Sequence, residues 1–463
     1  MANNKGKNNK GVAKKVVAST SKKKKKADTG LPFRAPRGMK DILPQEQKYW
    51  EYVIETAKTV ARGWDYHRID TPLVEETALF TRAMGEDTDI VSKELFELKS
   101  RGRGGQYSLR PEGTAPVVRA FIENGLRSRP KPVKLFYTGA FFRYDRPQKG
   151  RYRQHHQFGF EVFGSNSPAT EAELMYIEHV FLQQLGLEHY KFHVNSLGEP
   201  GDRKAYIKLL KDHYRRNRSK MCQNCKQRLT SNPLRVLDCK QEKCQQLANT
   251  APSIIDHLSD DAKKHFEAVT KLLDGLEVPY EVVPSLVRGL DYYTHTVWEI
   301  VPQVVAGDEG SDAGQQGSLG GGGRYNGLVK ELGGRRISSV GASHGIERII
   351  EQVKAESIEL TLTDEPQVFV AQLGESAKLI ALRTMRDLQQ AQIRFAASVD
   401  RDGMQPQLKL AERLKVKWIV VIGQKEVLDK TVILRNLESG MQEVVSQDTL
   451  IAELNKRLNI VAA

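Results

Sequence analysis

The chain has 463 residues and a mass of 52.2 kDa, more than one hydrophobic core holds, so two or three domains are expected. Hydrophobic residues at 39% and charged residues at 28% describe a globular chain, and no apolar run approaches the roughly 18 to 20 residues of a membrane span, which excludes a transmembrane reading. The net charge of +14 is uneven: ten Lys and one Asp within residues 1–28 hold +9 of it, leaving +5 for the rest, so the basicity is mostly a tail rather than a nucleic-acid footprint.

Residues 1–30 contain no aromatic side chain and cannot bury enough apolar surface to offset the entropy of ordering, which predicts a disordered tail. The segment has neither the apolar centre of a secretory signal nor the Arg-rich amphipathic pattern of a mitochondrial presequence, so the cytoplasm is the expected location. Its five consecutive lysines at 22–26 could draw in a polyanion such as RNA, and a solvated tail with no partner fits the same composition. Residues 44–62 repeat Trp50, Val53, Ile54, Ala57, Val60 and Ala61 at steps of three and four after Pro44, predicting a helix with one apolar face. A strand follows at 66–69, closed by Asp70, Thr71 and Pro72. β-rich aromatic runs at 135–144 and 154–163 flank Arg146-Pro147-Gln148-Lys149-Gly150-Arg151, which together predict a long hairpin with a basic tip.

Helices are predicted at 169–185 and 254–275, strands at 279–284 and 292–301, a Gly, Asp and Gln-rich loop at 306–320, and a helix from about Asn326. Between the first two helices lies a Lys, Arg and Gln-rich stretch carrying all four cysteines, Cys222-x-x-Cys225 and then Cys239 and Cys244. Two pairs bracketing a basic loop can set four thiolates around tetrahedral zinc, or be reduced thiols packed in a small helical unit, and spacing alone leaves both open. From 365 onward strands at 367–373, 393–398, 418–422, 431–435 and 443–446 alternate with helices at 375–390, 405–414 and from 448. This pattern predicts an α/β unit with a mostly parallel sheet. The catalytic-looking residues all lie upstream, so this unit is expected to bind.

Chemistry concentrates in the hairpin. Alternate side chains of a strand share a face, so Arg143 and Asp145 point together and suit a phosphate and a hydrogen-bonding base. An exposed strand bearing cations would also carry arginines, but here aromatics interleave with them, and Gln157 and Glu161 continue the parity on the return strand if the ladder has no bulge. Glu161 sits between Phe160 and Val162 in a run expected to be half-buried, and a buried carboxylate needs a partner. Arg110-Pro111-Glu112-Gly113-Thr114 places a carboxylate, a hydroxyl and amides in one turn. Gly321-Gly322-Gly323-Arg324-Tyr325 permits close backbone approach but lacks the Gly-Lys-Ser/Thr ending of a Walker loop. The segment Gly341-Ala342-Ser343-His344-Gly345-Ile346-Glu347-Arg348 reads as a Gly-rich strand feeding a helix whose Arg348 can meet an anion.

These segments resemble class II aminoacyl-tRNA synthetases: the strand ending at Pro72 resembles motif 1, the hairpin motif 2, and Gly345-Ile346-Glu347-Arg348 motif 3. Leu286-Val287-Arg288-Gly289-Leu290-Asp291-Tyr292-Tyr293 and Gly322-Gly323-Arg324-Tyr325 are similar to the two signatures of the histidyl-tRNA synthetase family, bacterial type. Arg37-Gly38-Met39-Lys40-Asp41-Ile42-Leu43-Pro44 also fits, so the resemblance runs from about residue 33 to the C-terminus. It implies an α+β fold: a class II antiparallel-sheet catalytic core with a helical insertion, plus a C-terminal α/β anticodon-binding domain. The implied division is a Lys-rich tail at 1–30, the core at 31–198 and 277–358, the insertion at 199–276, and the anticodon-binding domain at 365–463.

The resemblance further implies ATP-dependent ligation of L-histidine to tRNA(His) through a histidyl-adenylate, releasing AMP and pyrophosphate. ATP would enter with Mg²⁺ as a substrate complex, and no tightly bound organic cofactor is implied. A carboxylate attacks the α-phosphate, one anion on another, so cations must sit where charge concentrates. By resemblance Arg143 and Arg288 are the catalytic cations, and Arg143, Asp145, Arg151 and Arg348 bind ATP. Histidine would be held by Glu112, Gly113, Thr114 and Gln157 around its ammonium group, with Glu161 and Tyr293 on the imidazole nitrogens and Tyr292 lining the pocket. Arg146 and Gln148 match residues that contact the extra 5′ guanosine of tRNA(His) and the base facing it, and Val432 to Leu437 lie in the later strand region of the anticodon-binding domain. The helix at 44–62 resembles the dimer element, implying a homodimer, and no membrane partner is expected. The cysteine quartet occurs in only some members, so no metal ligands are assigned. Asp145 stands where many members have Glu, His155 where an aromatic often stacks on adenine, and Ala342 and His344 where apolar residues are more usual. Regulatory relatives typically lose catalytic arginines or the C-terminal domain, whereas this chain has Arg143, Arg288 and Arg348 and about one hundred C-terminal residues.

Overall fold

The computed structural model describes residues 33–86, 88–99, 105–147, 150–303, 317–360 and 365–459; the tail, Gln148 and most of the Gly-rich loop at 306–320 lie outside these. The strands of the larger part are β1 (His67–Arg68), β2 (Val74–Glu76), β3 (Phe96–Leu98), β4 (Tyr107–Leu109), β5 (Val133–Phe142), β6 (Gln154–Phe163), β7 (Tyr190–Ser196), β8 (Tyr280–Val282), β9 (Thr294–Pro302), β10 (Gly320–Arg324) and β11 (Ser339–Gly345). Eight of them form one sheet in the order β1-β5-β6-β11-β10-β9-β7-β8. Its interior pairs are antiparallel, and only the edge pairs β1/β5 and β7/β8 are parallel. β2, β4 and β3 make a small antiparallel sheet that the sequence periodicity did not predict.

The two faces of the large sheet have different chemistry. Phe136, Phe158, Phe160, Val162, Val340, Ala342, Trp298, Ile300, Phe192 and Val194 point to one side and are buried against helices Pro44–Gly63, Pro168–Gln184, Asp260–Gly275 and Ile346–Ala355. The first of these helices docks Trp50, Val53, Ala57, Val60 and Ala61, the apolar face expected from its spacing. The predicted helix at 254–275 is divided: Ile255–His257 is a 3-10 turn, and the α-helix starts at Asp260 after Ser259. Ser259 is extended at the N-cap, and Asp260 and Asp261 then complement the helix dipole. The other face of the sheet carries the hairpin's polar residues.

Helices Pro200–Arg216, Gln223–Ser231 and Glu242–Ala248 lie between β7 and β8. Tyr206, Leu210, Tyr214, Leu234 and Val236 from this stretch share a buried cluster with Tyr137, Phe141, Tyr292, Tyr293 and Tyr325. The C-terminal part has strands β12 (Val368–Gln372), β13 (Phe395–Ala397), β14 (Trp418–Ile422), β15 (Thr431–Asn436) and β16 (Gln442–Ser446) in the order β13-β12-β14-β15-β16. Its sheet is mixed rather than mostly parallel: β13, β12 and β14 are parallel, and β15 and β16 run antiparallel to their neighbours. The link at 423–430 is shorter than the roughly dozen residues that a parallel crossover needs, which forces the reversal.

Candidate active site

Register across the sheet defines the site. Leu135 pairs with Glu161, Glu161 with Gly341, and Gly341 with Gly323, while Tyr137 pairs with Gly159, Gly159 with Ser343, Ser343 with Gly321, and Gly321 with Glu299. Paired residues project to the same face. Gln157 lies on that face too, opposite Gly139 and Gly345, so the parity expected of Gln157 and Glu161 holds without a bulge, whereas the first strand of the hairpin ends at Phe142, short of the expected 144, and leaves Arg143 and Asp145 beyond the ladder. The result is a floor of nearly bare backbone on β10 and β11 with a few long polar side chains around it.

Glu161 is fully buried and accepts a hydrogen bond from Tyr325 Oη. Burial pushes its carboxyl up to about 8, with the hydrogen bond from Tyr325 opposing the shift and the negative charge of Glu112 adding to it. A Cβ at Gly341 would stand 2.7 Å from Glu161 Cδ, so the carboxylate occupies the space that an alanine there would need. Tyr137 is wedged in the same way between Gly113 and Gly159. Tyr292 and Tyr293 are buried with ring centroids 4.7 Å apart, and Tyr325 meets Tyr292 at 5.7 Å. Burial holds all four phenols protonated.

Glu112 is buried at the start of helix Thr114–Glu123, where its oxygens accept from the backbone N–H groups of Thr114 at 2.7 Å and Ala115 at 2.8 Å. Burial raises its pKa and these donors partly offset the shift. Tyr137 Oη, Gln157 Oε1, Glu161 Oε1 and Arg288 Nε are buried without hydrogen-bond partners among the described residues. Buried polar atoms are rarely left this way, and here they cluster about one face of the sheet.

Cations gather beyond the cluster of glutamates and tyrosines. Arg143 Nε donates to Pro111 O at 2.9 Å, and Arg348 donates to Gly150 O at 3.1 Å and Ser318 O at 2.6 Å. Burial lowers the pKa of Arg348, and the nearby positive charges of Arg151 and Arg143 add to the effect. Arg288 pairs with Glu299 and stands 6.0 Å from the Tyr293 ring centroid. Arg151 forms a 3.1 Å bond with Asp145, whose other oxygen accepts from the Arg146 backbone. Both Arg146 and Arg151 are exposed at the hairpin tip, and Gln148 lies outside the described residues. His155 is neutral because burial, followed by the charge of Arg143, holds its pKa well below the usual range.

The structure thus brings Glu112, Thr114, Gln157, Glu161, Tyr292 and Tyr293, with Gly113 between the first two, to one side of the sheet, with Arg143, Arg288 and Arg348 near them. It also separates the Arg324-Tyr325 signature: Arg324 points to the opposite face and ion-pairs with buried Glu171, whereas Tyr325 enters the site. Sequence reasoning assigned no role to Tyr137, Tyr325, Glu299 or Asp291. Tyr137 was accessible from hairpin parity; Tyr325 and Asp291 depend on partners distant in sequence, and Glu299 on the turn that brings Arg288 back over β9. Asp291 accepts from Arg203 at 3.4 Å and from Asn232 at 3.1 Å, which ties the insertion to the loop preceding Tyr292 and Tyr293. A cavity of about 660 Å³ borders these two tyrosines on the insertion side, between Glu199, Arg203, Asn326 and Arg336.

A histidyl-tRNA synthetase family model matches residues 38–349, and an anticodon binding domain model matches residues 367–457. A histidine–tRNA ligase of Dehalococcoides mccartyi is 42% identical over 426 residues, covering 92% of this chain and all of the relative. One from Bacillus cytotoxicus is 42% identical over 430 residues, with 92% and 100% covered. Among solved structures, apo histidyl-tRNA synthetase of S. aureus superposes with a TM-score of 0.76 at 34% identity, covering 91% of this chain and 99% of that one.

Proposed function

The chain belongs to the histidyl-tRNA synthetase family, and from that premise we propose how its residues divide the work. The protein is a histidine–tRNA ligase: it joins L-histidine to tRNA(His) with ATP through a histidyl-adenylate, releasing AMP and pyrophosphate. Glu161, its proton held by burial and its second oxygen bonded to Tyr325, faces one imidazole nitrogen, and Tyr293 takes the other. An analogue lacking either nitrogen leaves a buried group unpaired, which gives selectivity without a separate editing step. Glu112 keeps lone pairs beyond its two amide donors, so it can receive the substrate ammonium beside Thr114 and Gln157.

ATP enters as its Mg²⁺ complex. Arg143 and Arg288 stabilise charge on the α-phosphate as the histidine carboxylate attacks, while Arg151 and Arg348 hold the outer phosphates. Three arginines near one another repel, and a polyphosphate relieves that repulsion, which supports this assignment. Asp145 is positioned by Arg151 for the adenine side, with His155 available to stack. Arg146 and Gln148 contact the acceptor end of tRNA(His), and the C-terminal unit binds the anticodon. The division into 1–30, 31–198, 199–276, 277–358 and 365–463 belongs to the same reading. So do a cytoplasmic location and a homodimer; exposed Leu73, Val74, Leu98 and Tyr107 on and beside the small sheet support the latter. No described helix is long and apolar enough to cross a membrane.

The observation that carries the site assignment is the buried Glu161–Tyr325 pair set among Tyr137, Tyr292 and Tyr293. Histidine-dependent exchange of labelled pyrophosphate into ATP is the direct test. A folded sample that exchanges none would overturn the reading.

A further inference from the structure

The four cysteines separated in sequence as 222, 225, 239 and 244 meet in space. Their Sγ atoms all lie within 4.8 Å of one another, with Cys222 and Cys239 at 3.9 Å. Tetrahedral zinc with Zn–S bonds of about 2.3 Å sets its sulfurs roughly 3.8 Å apart, whereas a disulfide requires about 2.05 Å. All four are free thiols; Cys225, Cys239 and Cys244 are buried and Cys222 is half-buried. The Cys222 backbone N–H donates to Cys244 Sγ at 3.3 Å, and the Cys225 N–H donates to Cys222 Sγ at 3.4 Å. Such donors suit sulfur that carries charge. We propose that Cys222, Cys225, Cys239 and Cys244 form a structural zinc site.

Charge and local stability agree with this assignment. A zinc ion with four thiolates has a net charge of −2, and residues 220–244 supply Lys220, Lys226, Arg228, Arg235, Lys240 and Lys243 against Asp238 and Glu242, a net positive surrounding. Cys225 and Cys244 lie on helices Gln223–Ser231 and Glu242–Ala248, of nine and seven residues, too short to persist without tertiary support, and Cys222 caps the first of them. Four thiolates in a closed tetrahedron leave no open position for a substrate, which marks the site as structural. Zinc is favoured over ferrous iron at one ligand set by the general order of divalent affinities.

The ion also connects to the active site, a consequence that rests on the functional reading above. Between the cysteine pairs, Asn232 donates to Asp291, and Arg228 and Arg235 approach Asp89 at 3.4 and 3.6 Å. The zinc therefore holds the unit that braces the loop bearing Tyr292 and Tyr293.

Metal analysis of the full-length reduced chain, after incubation with zinc and removal of free ion, tests the site. One zinc per chain is expected, released by a thiol-reactive mercurial, with the Cys239→Ser/Cys244→Ser variant losing it. Cobalt in place of zinc should give intense thiolate-to-metal charge-transfer bands and tetrahedral visible bands, a readout on wild-type protein that stands even if the variant fails to fold. Chelation should lower the thermal midpoint and zinc should restore it. Substoichiometric zinc after reconstitution, cobalt without thiolate bands, or iron as the bound metal would each overturn the assignment. Pyrophosphate exchange measured in parallel separates the two readings: exchange without zinc binding sinks the metal site alone.

Discussion

Replacing Glu161 by Gln keeps the side-chain shape while removing an ionisation that burial opposes. The unfolded chain ionises this group near 4.5, but the folded protein does so at about 8. Between those values the folded state retains a proton that the unfolded state has released, so stability falls as pH rises through the window. At 1.36 kcal/mol per unit, a window of roughly 3.5 units amounts to about 4 kcal/mol at pH 8, where the folded group is half ionised, and less than about 1 kcal/mol at pH 5. Glu161→Gln should therefore be several kcal/mol more stable than wild type at pH 8 and nearly equal to it at pH 5. Thermal midpoints measured for both proteins at each pH check the sign. In the same variant, kcat/KM for histidine should fall about 10- to 100-fold, the cost of one buried hydrogen bond to the substrate made poorly or not at all. A stability difference that is the same at pH 5 and pH 8 would refute the claim that this carboxyl resists ionisation.

Gly341→Ala should displace Glu161 from its place above the floor, costing about 1–3 kcal/mol of stability and raising KM for histidine at least 5-fold; unchanged KM and thermal midpoint would contradict the packing described. Arg288→Ala should slow pyrophosphate exchange by about 10²–10³-fold while calorimetry still detects histidine binding, and a full exchange rate would show that the catalytic assignment is wrong. Asp291→Ala, which removes the acceptor of Asn232 and the longer of Arg203's two bonds while leaving the 2.8 Å bond to the backbone carbonyl, should raise KM for histidine several-fold with a smaller change in kcat; wild-type kinetics would mean that this carboxylate does not brace the tyrosine loop.

Much of the site was legible because its residues recur at strand spacing. Gln157 and Glu161 are four apart on one strand, and parity alone put them on one face. The hairpin, the helix from Pro44 and the alternation after 365 likewise follow from local period and turn residues. Features set by distant pairing were hidden. Tyr325 reaches Glu161 across 164 residues, and Arg324 turns away from it because neighbouring strand residues face opposite sides. β2, β3 and β4 are three residues each, too short for alternation to register. In the C-terminal unit, strand and helix positions were readable, but strand direction depended on the length of one connection.

The floor on β10 and β11 has a consequence for how substitutions there would be interpreted. Gly341 on β11 and Gly159 beside it on β6 carry no reactive group, yet each occupies a position where even a methyl group meets Glu161 or Tyr137. A saturation screen scored by growth would rank such glycines beside the arginines. Volume and chemistry would look alike in that score. Only activity measured on purified, folded variants would separate residues that act from residues that must leave room.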